Sequence, residues 1–313
     1  MPSGASHGTS ITLVICVSAL VIASAHQEPL TQEPSHKVFS SKSEAVLVHV
    51  TVRDGKSRLV PHLTQDALAI FENGEPQTVT YFDDEDRPVT VGLVVDSSGS
   101  MQRKRQDVIA AGLAFAKSSH PKDEMFTVNF NEQVWLGLPP SIPFTTDCEE
   151  LRHALLRSGA RGETALFDAI KTGLTHLDGG HEEKKVLIVV SDGGDNASRS
   201  TFDDVLNIAL RMDAIIYAVG VYDEYATDAK PDLLKKLAAS TGGAAFFPDT
   251  PSDAMEILER IAAEIRSGYT LGYVPPTGDG YRAIHVEVHP PDHRKLNVRA
   301  RSGYVAGTPS ASR

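Results

Sequence analysis

Apolar residues alternate with polar ones near both ends of the chain and run unbroken in its middle, and the two patterns predict different architectures. Val46, Val48, Val50 and Val52 alternate with Leu47, His49, Thr51 and Arg53, a period of two that predicts a half-buried strand. Asp54-Gly55 follows as a turn. Residues 69–71 and 78–82 predict further short strands, separated by the Asn73-Gly74 turn signal. The pattern returns late in the chain at Tyr269, Leu271 and Tyr273, at Ile284, Val286 and Val288, and at Leu296, Val298 and Ala300. Each β stretch, 44–86 and 269–304, is small by itself. The two are expected to pack together as one sandwich-like unit, with 305–313 a disordered tail.

Between them the pattern changes. Residues 89–95 are continuously apolar or small and end at Asp96, which suits a strand covered on both faces of a parallel sheet. Strands are then expected at 125–130, 134–136, 186–190, 214–219 and 244–247. Helices are expected at 101–118, 148–157, 166–177, 202–212 and 231–240. A last helix is capped by Thr250 with Pro251 at its first position, and Met255, Leu258, Ile261, Ala262 and Ile265 form its apolar stripe. Such alternation predicts an α/β fold with a doubly wound, mostly parallel sheet over 87–268, inserted between the β segments.

Residues 11–23 are almost all apolar or small, too few for the roughly 20 that span a bilayer, and lead into Ala23-Ser24-Ala25 before polar residues. This reads as a signal peptide over 1–25, followed by a polar linker over 26–43. It predicts an exported protein, periplasmic or secreted, with no transmembrane segment after cleavage. Without that peptide Cys148 stands alone, since Cys16 is the other cysteine. The net charge of −11 argues against nucleic acid as a partner.

Three clusters fall at expected carboxyl ends of strands or before a helix: Asp96-Ser97-Ser98-Gly99-Ser100, Gly162-Glu163-Thr164 and Ser191-Asp192-Gly193-Gly194. Ligands of open α/β sheets bind at that rim, where strand order reverses. Asp96, Ser98, Ser100, Thr164 and Asp192 offer two carboxylates and three hydroxyls, the oxygen donors that hard cations prefer. Two carboxylates balance one divalent ion and leave a coordination position for an outside oxygen. A partner carboxylate is its natural occupant.

The set Asp96-x-Ser98-x-Ser100, Thr164 and Asp192 resembles the metal-ion-dependent adhesion site of von Willebrand factor type A and integrin I domains, over about residues 89–267. The resemblance implies that Ser98, Ser100 and usually Thr164 bind the ion directly, that Asp96 and Asp192 often act through water, and that an acidic residue of a bound protein fills the open position. The ion would be Mg²⁺, with Mn²⁺ or Ca²⁺ as alternatives. The flanks, "LTQDALAIFENGEPQTVTYF" and "RARSGYVA", resemble exported bacterial, acidobacterial-type von Willebrand factor type A-related proteins. Glu163 departs from the family, which often has Gly there, and adds an acidic group beside the site.

Other chemistry is less well supported. No G-x-S-x-G elbow, G-x-G-x-x-G fingerprint or P-loop occurs, so no catalytic residue is assigned, and a metal-dependent hydrolase ranks below a binding module. A structural scaffold of an envelope assembly, stiffened by its metal, is the competing class. His285, Glu287 and His289 share one face of a strand and read as a solvent-facing side rather than a zinc site. The basic run Met101–Arg105 reads as a solvated helix face beside the metal loop.

Overall fold

The computed structural model describes residues 45–157, 161–222, 230–289 and 295–307, all within one compact unit, Ser43–Arg313. The expected signal peptide and linker lie outside the described residues, as does the tail from 308 onward.

The β segment begins with β1 (Val46–Asp54), β2 (Leu68–Glu72), β3 (Glu75–Gln77) and β4 (Tyr81–Asp83). The α/β part then runs through β5 (Thr90–Asp96), α1 (Arg105–Ser118), β6 (Glu124–Phe130), β7 (Val134–Leu136), α2 (Cys148–Leu156) and α3 (Leu166–Leu177). It continues with β8 (Lys185–Ser191), α4 (Phe202–Arg211), β9 (Ala214–Gly220), α5 (Pro231–Ser240), β10 (Ala245–Phe246) and α6 (Ala254–Arg266). The chain returns to strands with β11 (Tyr269–Tyr273), β12 (Gly280–Val288), β13 (Leu296–Arg299) and β14 (Gly303–Ala306).

The central sheet has the order β10-β9-β8-β5-β6-β7. All neighbours are parallel except the edge pair β6–β7. All seven residues of β5 are buried, because the sheet is covered on both faces. Val91, Leu93 and Val95 pack with α1, α6 and part of α2, while Val94 packs with α3, α4 and α5. Gly92 gives the close fit beside them, since a Cβ there would stand 2.4 Å from the Phe126 ring. Helix starts follow local chemistry: Asp147 accepts the Glu149 N–H at 2.6 Å, and Thr201 and Asp204 form a capping box on α4. Chain order leaves β5 towards β6 on one side and returns through β8 on the other, so the reversal lies at the carboxyl end of β5.

The N- and C-terminal segments build two four-stranded antiparallel sheets, β13-β1-β11-β4 and β14-β12-β2-β3. Val48, Val50, Ile70, Leu271, Ile284 and Val286 meet between them as a separate core. At its centre Glu72 accepts bonds from Tyr273 (2.5 Å), Tyr304 (3.0 Å) and Arg282 (2.6 Å).

Several expectations need correction. β1 is not half-buried: His49 and Thr51, on its second face, are also buried. The α/β part covers that face, where Glu264 of α6 pairs with Arg53 and Arg299, and Asp213 with Arg301. Residues 78–80 are not strand, because β3 pairs with β2 in one sheet and β4 with β11 in the other. The chain crosses between sheets there. β14 extends through Ala306, paired opposite Gly280, so ordered structure continues past 305. In α6 Ala254 is buried and Met255 is 47% exposed, since a short 3-10 turn at Pro251–Asp253 precedes the α-helix and shifts its phase.

Candidate metal centre

β5 delivers Asp96 to the rim, and the chain turns at once. Ser98 has extended backbone, Gly99–Met101 form a 3-10 turn, and α1 starts only at Arg105. This start is later than the hydrophobic pattern predicts, because Asp96 anchors the turn: its Oδ1 accepts the Ser98 N–H at 2.8 Å. Ser98 Oγ lies 3.0 Å from Ser100 Oγ. The turn points Met101 and Lys104 inward. Both are buried, and the Lys104 ammonium donates to the Val221 carbonyl at 2.9 Å. Arg105 donates to the Leu155 carbonyl and the Ser97 hydroxyl. The basic run is therefore not a solvated face; only Gln102 and Arg103 of it are exposed.

The other two clusters are bonded to this loop and to each other. Gly99 N–H donates to the Gly162 carbonyl at 3.1 Å, and Arg161 N–H to the Ser97 carbonyl at 2.9 Å. The Thr164 N–H donates to Asn196 Oδ1 at 2.8 Å, and the Thr164 carbonyl accepts the N–H groups of Asn196 and Ala197. Ser191, the last residue of β8, donates from its hydroxyl to Asp96 Oδ2 at 2.6 Å. Gly193, at φ +76°, returns its N–H to Ser191 Oγ at 3.1 Å. All three loops are thus gathered at the carboxyl end of β5. Asp96, Ser98 and Ser100 are joined by direct hydrogen bonds. Among the described residues no hydrogen bond ties the Thr164 hydroxyl or the Asp192 carboxylate to those three side chains.

Electrostatics mark the place. Burial pushes the Asp96 carboxyl up to about 6; the negative charge of Asp192 acts in the same direction, while bonds from Ser191 and Ser98 oppose it. Asp192 is also buried, and among the described residues no lysine or arginine forms an ion pair with either carboxylate. Tyr222, just past β9, packs its hydroxyl 3.3 Å from where a Gly193 side chain would begin, and among the described residues that buried hydroxyl has no hydrogen-bond partner. Burial raises it to about 12, with Asp192 and Asp232 adding to the effect.

The residues present fit a small divalent cation. The side chains offered are all oxygen donors, and two buried acids without a basic partner call for positive charge. Among the described residues no three histidine, cysteine, aspartate or glutamate side chains are arranged to hold a metal, so any ion here depends on the hydroxyls. His285, Glu287 and His289 lie outward on β12, with Glu287 3.5 Å and 3.1 Å from the two imidazoles.

Sequence reasoning passed over three supporting residues: Ser191, Asn196 and Tyr222. Ser191 carried a signal, since it stands at the end of a rim strand. Asn196 and Tyr222 depend on how distant loops fold back, which no local pattern reports.

Among described residues, no helix is long and apolar enough to cross a membrane. No curated protein matches the chain. A von Willebrand factor type A protein from Catenulispora acidiphila is similar in structure at 13% identity and TM-score 0.53, covering 84% of this chain and 75% of that one. Proximal thread matrix protein 1 from the mussel byssus is similar at 14% identity and TM-score 0.51, over 66% of this chain and 50% of its own. Both likenesses concern the fold. The profile described as "von Willebrand factor type A domain" matches residues 90–260, more than half of the chain, and the chain belongs to that family.

Proposed function

We propose that the chain is a divalent-metal-dependent protein-binding module of an exported protein. In this reading Asp96, Ser98, Ser100, Thr164 and Asp192 hold one ion, and an Asp or Glu carboxylate of a partner protein completes its shell. One observation carries the reading: the bonds Asp96–Ser191, Gly99–Gly162 and Thr164–Asn196 gather three distant loops at one rim. When bound, the ion would supply a positive charge open to an outside oxygen. Mg²⁺ suits a compact all-oxygen donor set, and Mn²⁺ and Ca²⁺ belong to the same class. Family membership supports an interaction role over catalysis, and the Ser98 hydroxyl faces that of Ser100 rather than a general base. Export rests on the apolar run 11–23 and the Ala23-Ser24-Ala25 pattern.

A second reading has its own support. Asp96 is buried and its charged form disfavoured, so an ion would also stabilise the fold, as a scaffold of an envelope assembly would need. Capture from envelope extract, with and without EDTA, separates the two when wild type is compared with Asp96→Ala. The binding module predicts a folded variant that captures nothing and a wild type that releases its partner in chelator. The scaffold predicts an unstable variant whose remaining folded fraction still captures the partner.

A further inference from the structure

Arg105, the first residue of α1, reaches back to the loop that precedes the helix. Its guanidinium donates to the Ser97 hydroxyl at 3.2 Å and to the Leu155 carbonyl, in the last turn of α2, at 3.0 Å. Ser97 is fully buried between Asp96 and Ser98. Its backbone is fixed as well: its N–H donates to the Phe130 carbonyl at 2.7 Å, and its carbonyl accepts the Arg161 N–H at 2.9 Å. The segment that bears Thr164 is thus held to Ser97 at two points, through Arg105 where it leaves α2 and through Arg161 further along. Among the described residues no acid pairs with Arg105. Its partners are neutral, a hydroxyl and a helix-end carbonyl, and a cation is favoured at that end of a helix.

We infer that Arg105 is a positioning residue for the ion site, a bridge that sets the Thr164 hydroxyl against the Asp96–Ser100 loop. The inference rests on the ion site proposed above. Three features support it. The Asp96 loop keeps its own shape through the bonds of Asp96 to the Ser98 N–H and the Ser191 hydroxyl. The Thr164 hydroxyl has no bond to those side chains among the described residues, so its place depends on what draws its loop in. The direct bonds between the two loops, Arg161 to Ser97 and Gly99 to Gly162, are backbone bonds, and Arg105 adds a side-chain bridge to them. A guanidinium presents its donors as a planar fork that serves two acceptors at once, a geometry an ammonium does not reproduce.

Mn²⁺ alone, titrated into the full chain and followed by electron paramagnetic resonance, tests this. Arg105→Met keeps an unbranched side chain and removes both donors, and Mn²⁺ affinity should fall on the order of ten-fold. Arg105→Lys keeps the charge without the fork and should not restore it. In a Thr164→Val background the Arg105→Met change should cost less than about two-fold, because the hydroxyl it places is already gone. A residue that merely supports the fold would lower affinity by the same factor in both backgrounds. Thermal unfolding in EDTA reports whether Arg105→Met folds; if it does not, Ser97→Ala, which removes the hydroxyl end of the bridge, carries the same comparison. Wild-type affinity in Arg105→Met and Ser97→Ala, equal losses in the two backgrounds, or full recovery in Arg105→Lys overturns the role of Arg105; with Mn²⁺ bound by wild type and lost in Asp96→Ala, the ion site still stands. If wild type binds Mn²⁺ no better than Asp96→Ala, the ion site and this inference fail together.

Discussion

The Ser191 hydroxyl donates a 2.6 Å hydrogen bond to Asp96 Oδ2, and the two residues end the neighbouring parallel strands β8 and β5. With Oδ1 taken by the Ser98 N–H, both Asp96 oxygens are oriented by the protein. Such groups fix a ligand's direction, and their loss typically costs 10–100-fold in metal affinity. Ser191→Ala should therefore weaken Mg²⁺ binding by about ten-fold or more in isothermal titration, while the apo protein keeps its circular dichroism spectrum. An affinity equal to wild type would remove Ser191 from the account.

Glu264 joins the two parts of the molecule. Its side chain is fully buried on α6 and meets Arg53 of β1 and Arg299 of β13. Removing the charge leaves two partly buried guanidiniums without the acid they share, a change that costs about 3–5 kcal/mol when a fully buried pair is broken. Glu264→Gln should lower unfolding free energy in urea by about 3 kcal/mol, with the strands β1 and β13 opening first by hydrogen exchange. A loss below about 1 kcal/mol, as for exposed pairs, would show that the interface does not depend on this contact.

His49 gives the fold a pH dependence. It is buried on β1, its Nδ1 lies 3.0 Å from Thr270 Oγ1, and burial lowers its pKa to about 4; Asp213 opposes that shift, while Lys184 and Arg301 reinforce it. The unfolded chain therefore binds the proton more readily than the folded one. The stability contributed is complete above the unfolded value of 6.5 and is lost as pH falls from there towards about 4. Between about pH 7.5 and about pH 5 this amounts to about 2 kcal/mol. Urea midpoints should fall more steeply with acid in wild type than in His49→Gln; parallel slopes would contradict the assignment.

How much of this was legible depends on where the information lies. The unbroken apolar residues 89–95 and the Asp96-x-Ser98-x-Ser100 triplet after them follow from local sequence, because a strand covered on both faces needs that composition and a sharp turn needs Ser and Gly. The helices α3 and α5 begin and end where the pattern places them. β1 misled, because a strand whose second face is covered by polar His49 and Thr51 against another layer looks the same as one facing water. Lys104 misled likewise: nothing local reveals that a 3-10 turn carries its ammonium to the Val221 carbonyl. The set Asp96, Ser98, Ser100, Thr164 and Asp192 could be picked out as separate clusters. The bonds that draw their loops together, through Ser191, Gly162 and Asn196, are long-range and have no local signature.

Among the described residues no hydrogen bond joins the Thr164 hydroxyl to the side chains of Asp96, Ser98, Ser100 or Asp192, so Thr164 tests most directly whether three loops serve one ion. Thr164→Val keeps the shape and removes only the hydroxyl. Mg²⁺ titration by calorimetry should show one ion per wild-type chain and an affinity lower by about ten-fold or more in the variant. Equal Mg²⁺ binding by the two proteins, or none by wild type, would contradict the shared site.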